Sequence, residues 1–189
     1  MKTLIFSISI LCTALNLNAQ QNTNTLIHTK QQLQYNIYVN GASLKYFIRF
    51  DSLSAQYTSF TWSDIRERSG SYIMRSASLD SSVNGYWNPP QADAAIEIDN
   101  SQTVLMLSKL NYTRLKQQKK MVFDDKVFLL AENQAASNYT QTGKNIPCLY
   151  AEAEDKSVKL WVYDNPAMPI MLKMQGNPHA VDFELTATE

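Results

Sequence analysis

Apolar residues recur at every second position along the first third of the chain. The pattern runs through 35–39 and resumes through 44–50, with an Asn-Gly pair at 40–41 between the two segments. Alternation with a period of two is typical of strands that bury one face, and Asn-Gly accepts the positive φ of a tight hairpin turn. Strand-like runs follow at 56–62 and 71–79, so this part of the chain predicts an antiparallel meander of about four strands.

The middle of the chain breaks this pattern and then predicts one helix. A second Asn-Gly pair, at 84–85, leads into the sequence WNPP at 87–90. Its two consecutive prolines remove two backbone donors, which favours an extended segment outside a regular ladder. Farther along, Ser108 is a good N-cap, and no Gly or Pro interrupts the residues up to Lys120. The apolar stripe of this helix is narrow, which indicates packing on a sheet edge.

Alternation returns in the last third of the chain. Strand-like runs at 146–154, 157–163, 170–174 and 180–187 are separated by turn residues, and the prolines of NPAMP at 165–169 predict a stiff corner. The whole pattern predicts one α+β domain over residues 31–189. In it, mainly antiparallel β meanders form a curved sheet or open barrel, with one principal covering helix.

The N-terminal segment has the layout of a secretory signal peptide. Lys2 precedes an apolar stretch at 4–15, and the small residue Ala19 stands before a polar segment. This layout predicts a signal peptide at 1–19, cleavage near Ala19, a flexible leader at 20–30, and export to the periplasm or the extracellular space.

Cys12 raises lipidation as an alternative fate of the N-terminal segment. A lipidated cysteine normally follows a small residue, whereas Leu11 precedes Cys12, so cleavage near Ala19 is favoured. The apolar stretch is shorter than the ~20 residues of a membrane-spanning helix, and no later apolar run reaches that length. No transmembrane segment is therefore predicted in the mature chain.

Charge and length narrow the choice of function. The 189 residues carry 17 basic and 17 acidic side chains. Removal of the signal peptide would leave a net charge of about −1, which argues against nucleic acid as a partner because phosphate contacts need excess positive charge. The remaining residues are enough for a single domain with its own core.

Residues that commonly carry out catalysis are scarce. The chain has two histidines, His28 and His179, and Cys148 is the only cysteine of the mature part. No His/Cys spacing matches a metal site, and neither a phosphate-binding glycine loop nor a nucleophile motif occurs, so no metal or cofactor is predicted. Cys148 could act as a nucleophile with His179, but a buried inert thiol is the favoured interpretation. An enzyme with two converging carboxylates is the least favoured hypothesis.

Large side chains on both faces of one strand indicate a ligand site. In 157–163 one face carries valine and leucine, whereas the opposite face carries Trp161 and Tyr163; Met171 and Lys173 take the corresponding face of the next strand. A strand with one solvated face would be polar there. These four residues predict a cleft for an apolar small molecule or lipid, with burial beneath another element as the alternative.

A run of basic residues without an acid suggests a second kind of surface, and its members are Lys109, Arg114, Lys116, Lys119 and Lys120. A cationic helix of this kind can dock on an anionic membrane surface or on a cell-envelope protein. The alternative is an ordinary solvated helix whose counter-charges lie elsewhere in the fold.

Three segments carry a resemblance to known proteins: WNPP (87–90), LMLSKLNYTRLKQQKK (105–120) and PCLYAEAEDKSVKLWVYDNPAMPIMLKM (147–174). Their order resembles that in uncharacterised exported bacterial β-rich proteins. The C-terminal part is also similar, more distantly, to the periplasmic lipoprotein-carrier (LolA/LolB-like) fold. That resemblance implies an unclosed β-barrel covered by helix, with a concave apolar surface for acyl chains.

These observations lead to two expected functions. The first is a non-enzymatic, exported binding or carrier-like module for an apolar ligand. The alternative is a structural or interaction protein that docks through the basic helix.

Overall fold

One large β-sheet organises the chain, which the computed structural model describes over residues 28–132, 138–141 and 143–188. The predicted signal peptide with Ala19 and Cys12, and all but the end of the predicted leader, lie outside the described residues. Within those residues, neither helix combines the length and apolar character needed to cross a membrane.

The first meander has the four predicted strands, which are β1 (Gln32–Val39), β2 (Ala42–Leu53), β3 (Tyr57–Asp64) and β4 (Ser69–Arg75). Each pairs with the next in antiparallel fashion. The β1–β2 turn uses Asn40 at φ 51° and Gly41 at φ 80°, as the Asn-Gly pair predicts. Alternate positions of these strands are buried, so one face of the meander belongs to the core.

A short helix, α1 (Ser76–Ser81), replaces the end of the predicted strand 71–79. Arg75 pairs with Tyr57, which is the first residue of β3. A strand that continued past Arg75 would therefore find no residue of β3 to pair with. Leu79 is buried, and α1 packs against the second helix. The strand prediction was wrong for residues 76–79 for this reason.

Three short strands lie between the two helices, namely β5 (Asn84–Gly85), β6 (Ala95–Glu97) and β7 (Gln102–Thr103). β5 and β7 form a separate parallel pair, and β6 adds to the main sheet parallel to β4. The WNPP segment lies between β5 and β6 and belongs to no strand, as its prolines predict.

The principal helix is α2 (Lys109–Gln118). The Ser108 hydroxyl accepts a hydrogen bond from the Asn111 backbone N–H at 3.2 Å, and Lys119 ends the helix in the left-handed conformation at φ 59°. Tyr112 and Leu115 are buried, and the helix packs mainly against the strand that follows it. The predicted N-cap and the edge-packed position of the helix are both confirmed.

The second meander comprises β8 (Lys120–Phe123), β9 (Lys126–Leu130), β10 (Asn138–Gln141), β11 (Lys144–Ala153), β12 (Lys159–Tyr163), β13 (Met171–Gln175) and β14 (Val181–Thr188). β14 pairs with β1 and thereby joins the two meanders into one sheet. The strand order is β6-β4-β3-β2-β1-β14-β13-β12-β11-β9-β8, and β10 pairs with β11 off this path.

The fold class predicted from the sequence is confirmed: α+β, with a mainly antiparallel curved sheet and one principal helix. Among the described residues the sheet begins at β6 and ends at β8 without closing into a barrel. The largest buried side chains include Tyr35, Phe60 and Phe183, which place the core on one face of the joined meanders.

Candidate functional site

An apolar cleft opens on the buried face of the sheet, between the first meander with β14 and the WNPP segment that crosses over it. Its volume is about 250 Å³. The side chains that line it are Ile37, Val39, Leu44, Tyr46, Ile48, Phe60, Trp62, Tyr72, Tyr86, Trp87, Asn88, Pro89, Pro90, Val104, Leu105, Val181 and Phe183. None of these described lining residues is charged, so the cleft is suited to an uncharged, apolar molecule or group.

The floor of the cleft follows from strand alternation. Residues two apart on a strand share a face, and β2 places Leu44, Tyr46 and Ile48 there while β3 adds Phe60 and Trp62. The rings of Tyr46 and Trp62 pack on each other in a tilted geometry, with their centroids 5.8 Å apart. The first meander forms most of this floor, and β14 adds Val181 and Phe183.

The cover of the cleft is held by Trp87 of the WNPP segment. Its indole N–H donates to Asp124 Oδ2 at 2.8 Å, and the Gly85 backbone N–H donates to Asp124 Oδ1 at 2.8 Å. The indole stacks on the His179 ring at 5.7 Å with a 20° interplanar angle, and its centroid lies 6.4 Å from that of Phe183. One carboxylate therefore holds both the Trp87 side chain and the backbone that leads to it.

Asp124 occupies a tight turn between β8 and β9, where it adopts φ 49° and Asp125 adopts φ 58°. Burial raises the pKa of Asp124 above its ordinary value, although the hydrogen bonds from Gly85 and Trp87 act in the opposite direction. A polar pocket of about 470 Å³ adjoins Asp124 and shares Trp87 and Asn88 with the apolar cleft. Trp87 thus borders both an apolar space and a polar one.

The four residues predicted to bind an apolar ligand do not line this cleft. Trp161 packs on Tyr150 at a centroid distance of 4.7 Å, and Lys173 Nζ lies 5.5 Å from the Trp161 ring centre. Lys173 also forms an ion pair with Glu184 at 3.0 Å. Trp161 and Lys173 are directly opposite each other on β12 and β13, so the structure does bring this pair together.

Met171 departs from the common face on which the sequence places all four residues. A register shift between Trp161 and Val162 pairs Met171 with Val162, a residue that is fully buried. Met171 is 1% exposed, and its carbonyl accepts a hydrogen bond from the Tyr35 hydroxyl at 3.0 Å. Because a bulge shifts the alternation by one residue, the predicted shared face was wrong for Met171. Tyr163 is also buried, opposite Cys148 on β11.

The five basic residues do not all lie on the helix. Lys109, Arg114 and Lys116 belong to α2, whereas Lys119 ends it and Lys120 begins β8. Two of the five take part in ion pairs, which join Lys109 to Asp80 at 2.7 Å and Lys116 to Asp164 at 2.5 Å. Docking through this region stays a prediction.

The reactive residues are placed apart. Burial raises the pKa of the Cys148 thiol to about 11, which disfavours the nucleophilic thiolate. His179, the predicted alternative partner of Cys148, instead stacks on Trp87. In the described ranges no group of three or more His, Cys, Asp or Glu side chains could hold a metal ion.

The sequence did not predict the cleft, because the residues that line it have the pattern expected of ordinary hydrophobic core residues. The available signal was the aromatic content of alternate positions in β2 and β3, together with the proline-rich segment that cannot join a ladder. Such a segment must lie over some part of the fold, and only the structure shows which part.

No protein-family model matches the chain, and a search of curated proteins found no significant match.

Proposed function

We propose that this protein is an exported, non-enzymatic binding or carrier-like module that holds an apolar small molecule, or part of a lipid, in the cleft beneath Trp87. The observation that carries the proposal is the lining of the cleft, which consists almost entirely of aliphatic and aromatic side chains and contains no charge. Apolar lining with a few polar groups is typical of small-molecule sites. The open, curved sheet supports the carrier-like role.

The size of the cleft limits the ligand. Its volume of about 250 Å³ is just below the ~300–1,000 Å³ of ordinary ligand pockets. One small molecule or one segment of an acyl chain fits this space, whereas a whole phospholipid does not. Leu44 is 41% exposed although it lines the cleft, so a ligand longer than the cleft would emerge along this residue.

Titration with the uncharged fluorescent probe phenylnaphthylamine tests the proposal. We expect saturable fluorescence enhancement with one probe per chain, because the probe becomes bright only when it leaves water. The blocking variant is Val181→Trp, since Val181 is half-buried at the start of β14 and lines the cleft. The matched control is Val122→Trp, at an exposed valine of edge strand β8 that does not line the cleft.

The two variants separate binding in the cleft from binding elsewhere. We expect Val181→Trp to weaken probe binding at least about tenfold, which corresponds to ~1.4 kcal/mol, and Val122→Trp to leave it unchanged. Equal binding by the two variants, or no saturable binding by the unmodified protein, would refute the proposal. If the cleft does bind the probe, native mass spectrometry of protein purified from the cell envelope would identify a retained natural ligand.

A docking function is the second proposal, and it rests on charges that lack counter-ions. Among the described residues, Arg114, Lys119 and Lys120 take part in no ion pair, and both lysines are exposed. Unpaired cations near the end of a helix favour contact with an anionic membrane surface or with an acidic envelope protein. This function is compatible with a ligand in the cleft, because α2 does not line it.

A further inference from the structure

Three tyrosine hydroxyl groups in the apolar cleft have no hydrogen-bond partner among the residues that the structure describes. They belong to Tyr46, Tyr72 and Tyr86, all of which line the cleft. Among the described residues, none of the three hydroxyl oxygens is a buried atom without a partner, so water in the open cleft reaches them. Tyr46 is 7% exposed and Tyr72 is 4% exposed, so most of each side chain is buried and only a small part of it meets this water. Elsewhere in the core the hydroxyl of the buried Tyr35 donates to a backbone carbonyl at 3.0 Å, as buried phenols normally do.

The three tyrosines form one group within the cleft. The rings of Tyr72 and Tyr86 meet edge to face at 5.6 Å, and Tyr46 reaches the same region from β2. Burial, together with the nearby Tyr86 and Tyr46, raises the pKa of Tyr72 to about 12. A neutral phenol donates a hydrogen bond, here to water in the cleft. A ligand that displaces this water must accept that hydrogen bond or leave the donor unsatisfied, at a cost in free energy. The group therefore favours a ligand that carries a hydrogen-bond acceptor.

The acceptor that fits this group is uncharged. The described lining residues provide no cation to balance a carboxylate, and Arg68, whose charge acts on Tyr46, is already paired with Asp64 at 2.6 Å. Moving an unpaired anion into an apolar site is far more costly than moving a carbonyl that receives hydrogen bonds. A ketone or ester oxygen meets both conditions, whereas a fatty-acid carboxylate does not.

We propose that the cleft selects neutral, mainly apolar molecules that carry a carbonyl oxygen, and that Tyr46, Tyr72 and Tyr86 supply the hydrogen bonds that recognise it. The inference rests on the proposed function, because it names the class of ligand that the same cleft takes. It adds specificity: the apolar lining provides affinity, and the tyrosine group distinguishes an ester or ketone from a hydrocarbon of equal size.

Displacement of bound phenylnaphthylamine by three compounds with the same number of heavy atoms tests this selectivity. The compounds are nonane, methyl hexanoate and heptanoate. We expect methyl hexanoate to bind the unmodified protein about three- to tenfold more tightly than nonane, as one net hydrogen bond provides. Heptanoate should be the weakest competitor at neutral pH because its charge would have to be buried.

Two phenylalanine variants separate recognition from folding. Tyr72→Phe should reduce the preference for methyl hexanoate over nonane to near unity while nonane binding stays the same. The control is Tyr57→Phe, because Tyr57 lies on β3 but does not line the cleft, and it should keep the full preference. Tyr86→Phe provides a second variant at a less buried position, and it should lower the preference in the same direction.

Three results would overturn the inference. These are equal affinity for methyl hexanoate and nonane, tighter binding of heptanoate than of the ester, and an equal loss of both neutral compounds in Tyr72→Phe. In each of these cases the unmodified protein still binds the probe and nonane, so the proposed apolar-binding function survives. Failure of both the probe and nonane to bind would overturn that function and the inference with it.

Discussion

Gly85→Ala tests whether Trp87 is held in place by close packing on a residue without a side chain. An ideal Cβ at position 85 would lie 2.5 Å from Trp87 Cζ2 and 2.7 Å from Trp87 Nε1. Carbon atoms pack best at ~3.5–4.0 Å, so the indole would have to retreat by roughly 1 Å. That movement would draw the indole N–H away from Asp124, which it now contacts at 2.8 Å.

The expected cost follows from three contributions. Overpacking of this kind costs about 1–3 kcal/mol, and loss of a hydrogen bond to a charged acceptor costs about 1.5–3 kcal/mol. Gly85 is outside the left-handed region, so alanine suits its backbone and should recover about 0.4–1 kcal/mol through the unfolded state. We therefore expect Gly85→Ala to lower the free energy of unfolding by about 2–4 kcal/mol.

A double-mutant cycle in urea, followed by far-ultraviolet circular dichroism, measures this coupling. In a Trp87→Leu background the ring atoms that clash are absent, so Gly85→Ala should stabilise by about 0.4–1 kcal/mol, with the opposite sign from its effect in the unmodified protein. If Gly85→Ala costs the same free energy in both backgrounds, contact with Trp87 is not the reason for the glycine, and the packing argument is refuted.

Three further changes have defined outcomes. Ser108→Ala removes the N-cap of α2 and should lower the free energy of unfolding by about 1–2 kcal/mol in urea; a change below about 0.5 kcal/mol would contradict the capping role. Because the pKa of folded Tyr72 is about 12 rather than 10, its contribution to stability is complete below pH 10 and is lost as the pH rises to 12. Tyr72→Phe should therefore lose stability less steeply over that interval, and parallel curves would count against a buried phenol. If the protein docks through the basic region, replacing Arg114, Lys119 and Lys120 together by Glu should abolish its salt-sensitive binding to anionic vesicles. Vesicle binding that does not change with salt concentration would exclude this docking function.

Predictions from the sequence succeeded where conformation depends on neighbouring residues. Asn40 and Gly41 form the hairpin turn because both accept positive φ, and Ser108 caps α2 because its hydroxyl reaches the first turn. Prediction failed at 76–79, the end of the predicted strand, because the partner strand has ended there. It failed again at Met171, because a bulge reverses the faces of a strand without leaving a local signal.

The candidate site shows the same division. Trp161 and Lys173 do meet, since their alternation on paired strands places them opposite each other, but the apolar cleft lies under the first meander. Its residues look like ordinary core positions in the sequence. Their availability to a ligand depends on Trp87, whose position is set by Asp124, a residue 37 positions away along the chain.

The sequence by itself determined the secondary structure of most strands, the principal helix and the α+β class, because period-two alternation, turn chemistry and capping are local properties. Only the tertiary structure decided that β14 returns to pair with β1, that WNPP crosses the first meander, and that three tyrosines come together in the lining of the resulting cleft. Those features come from contacts between residues far apart in the chain, and their free energy depends on how preformed elements pack together rather than on any single segment.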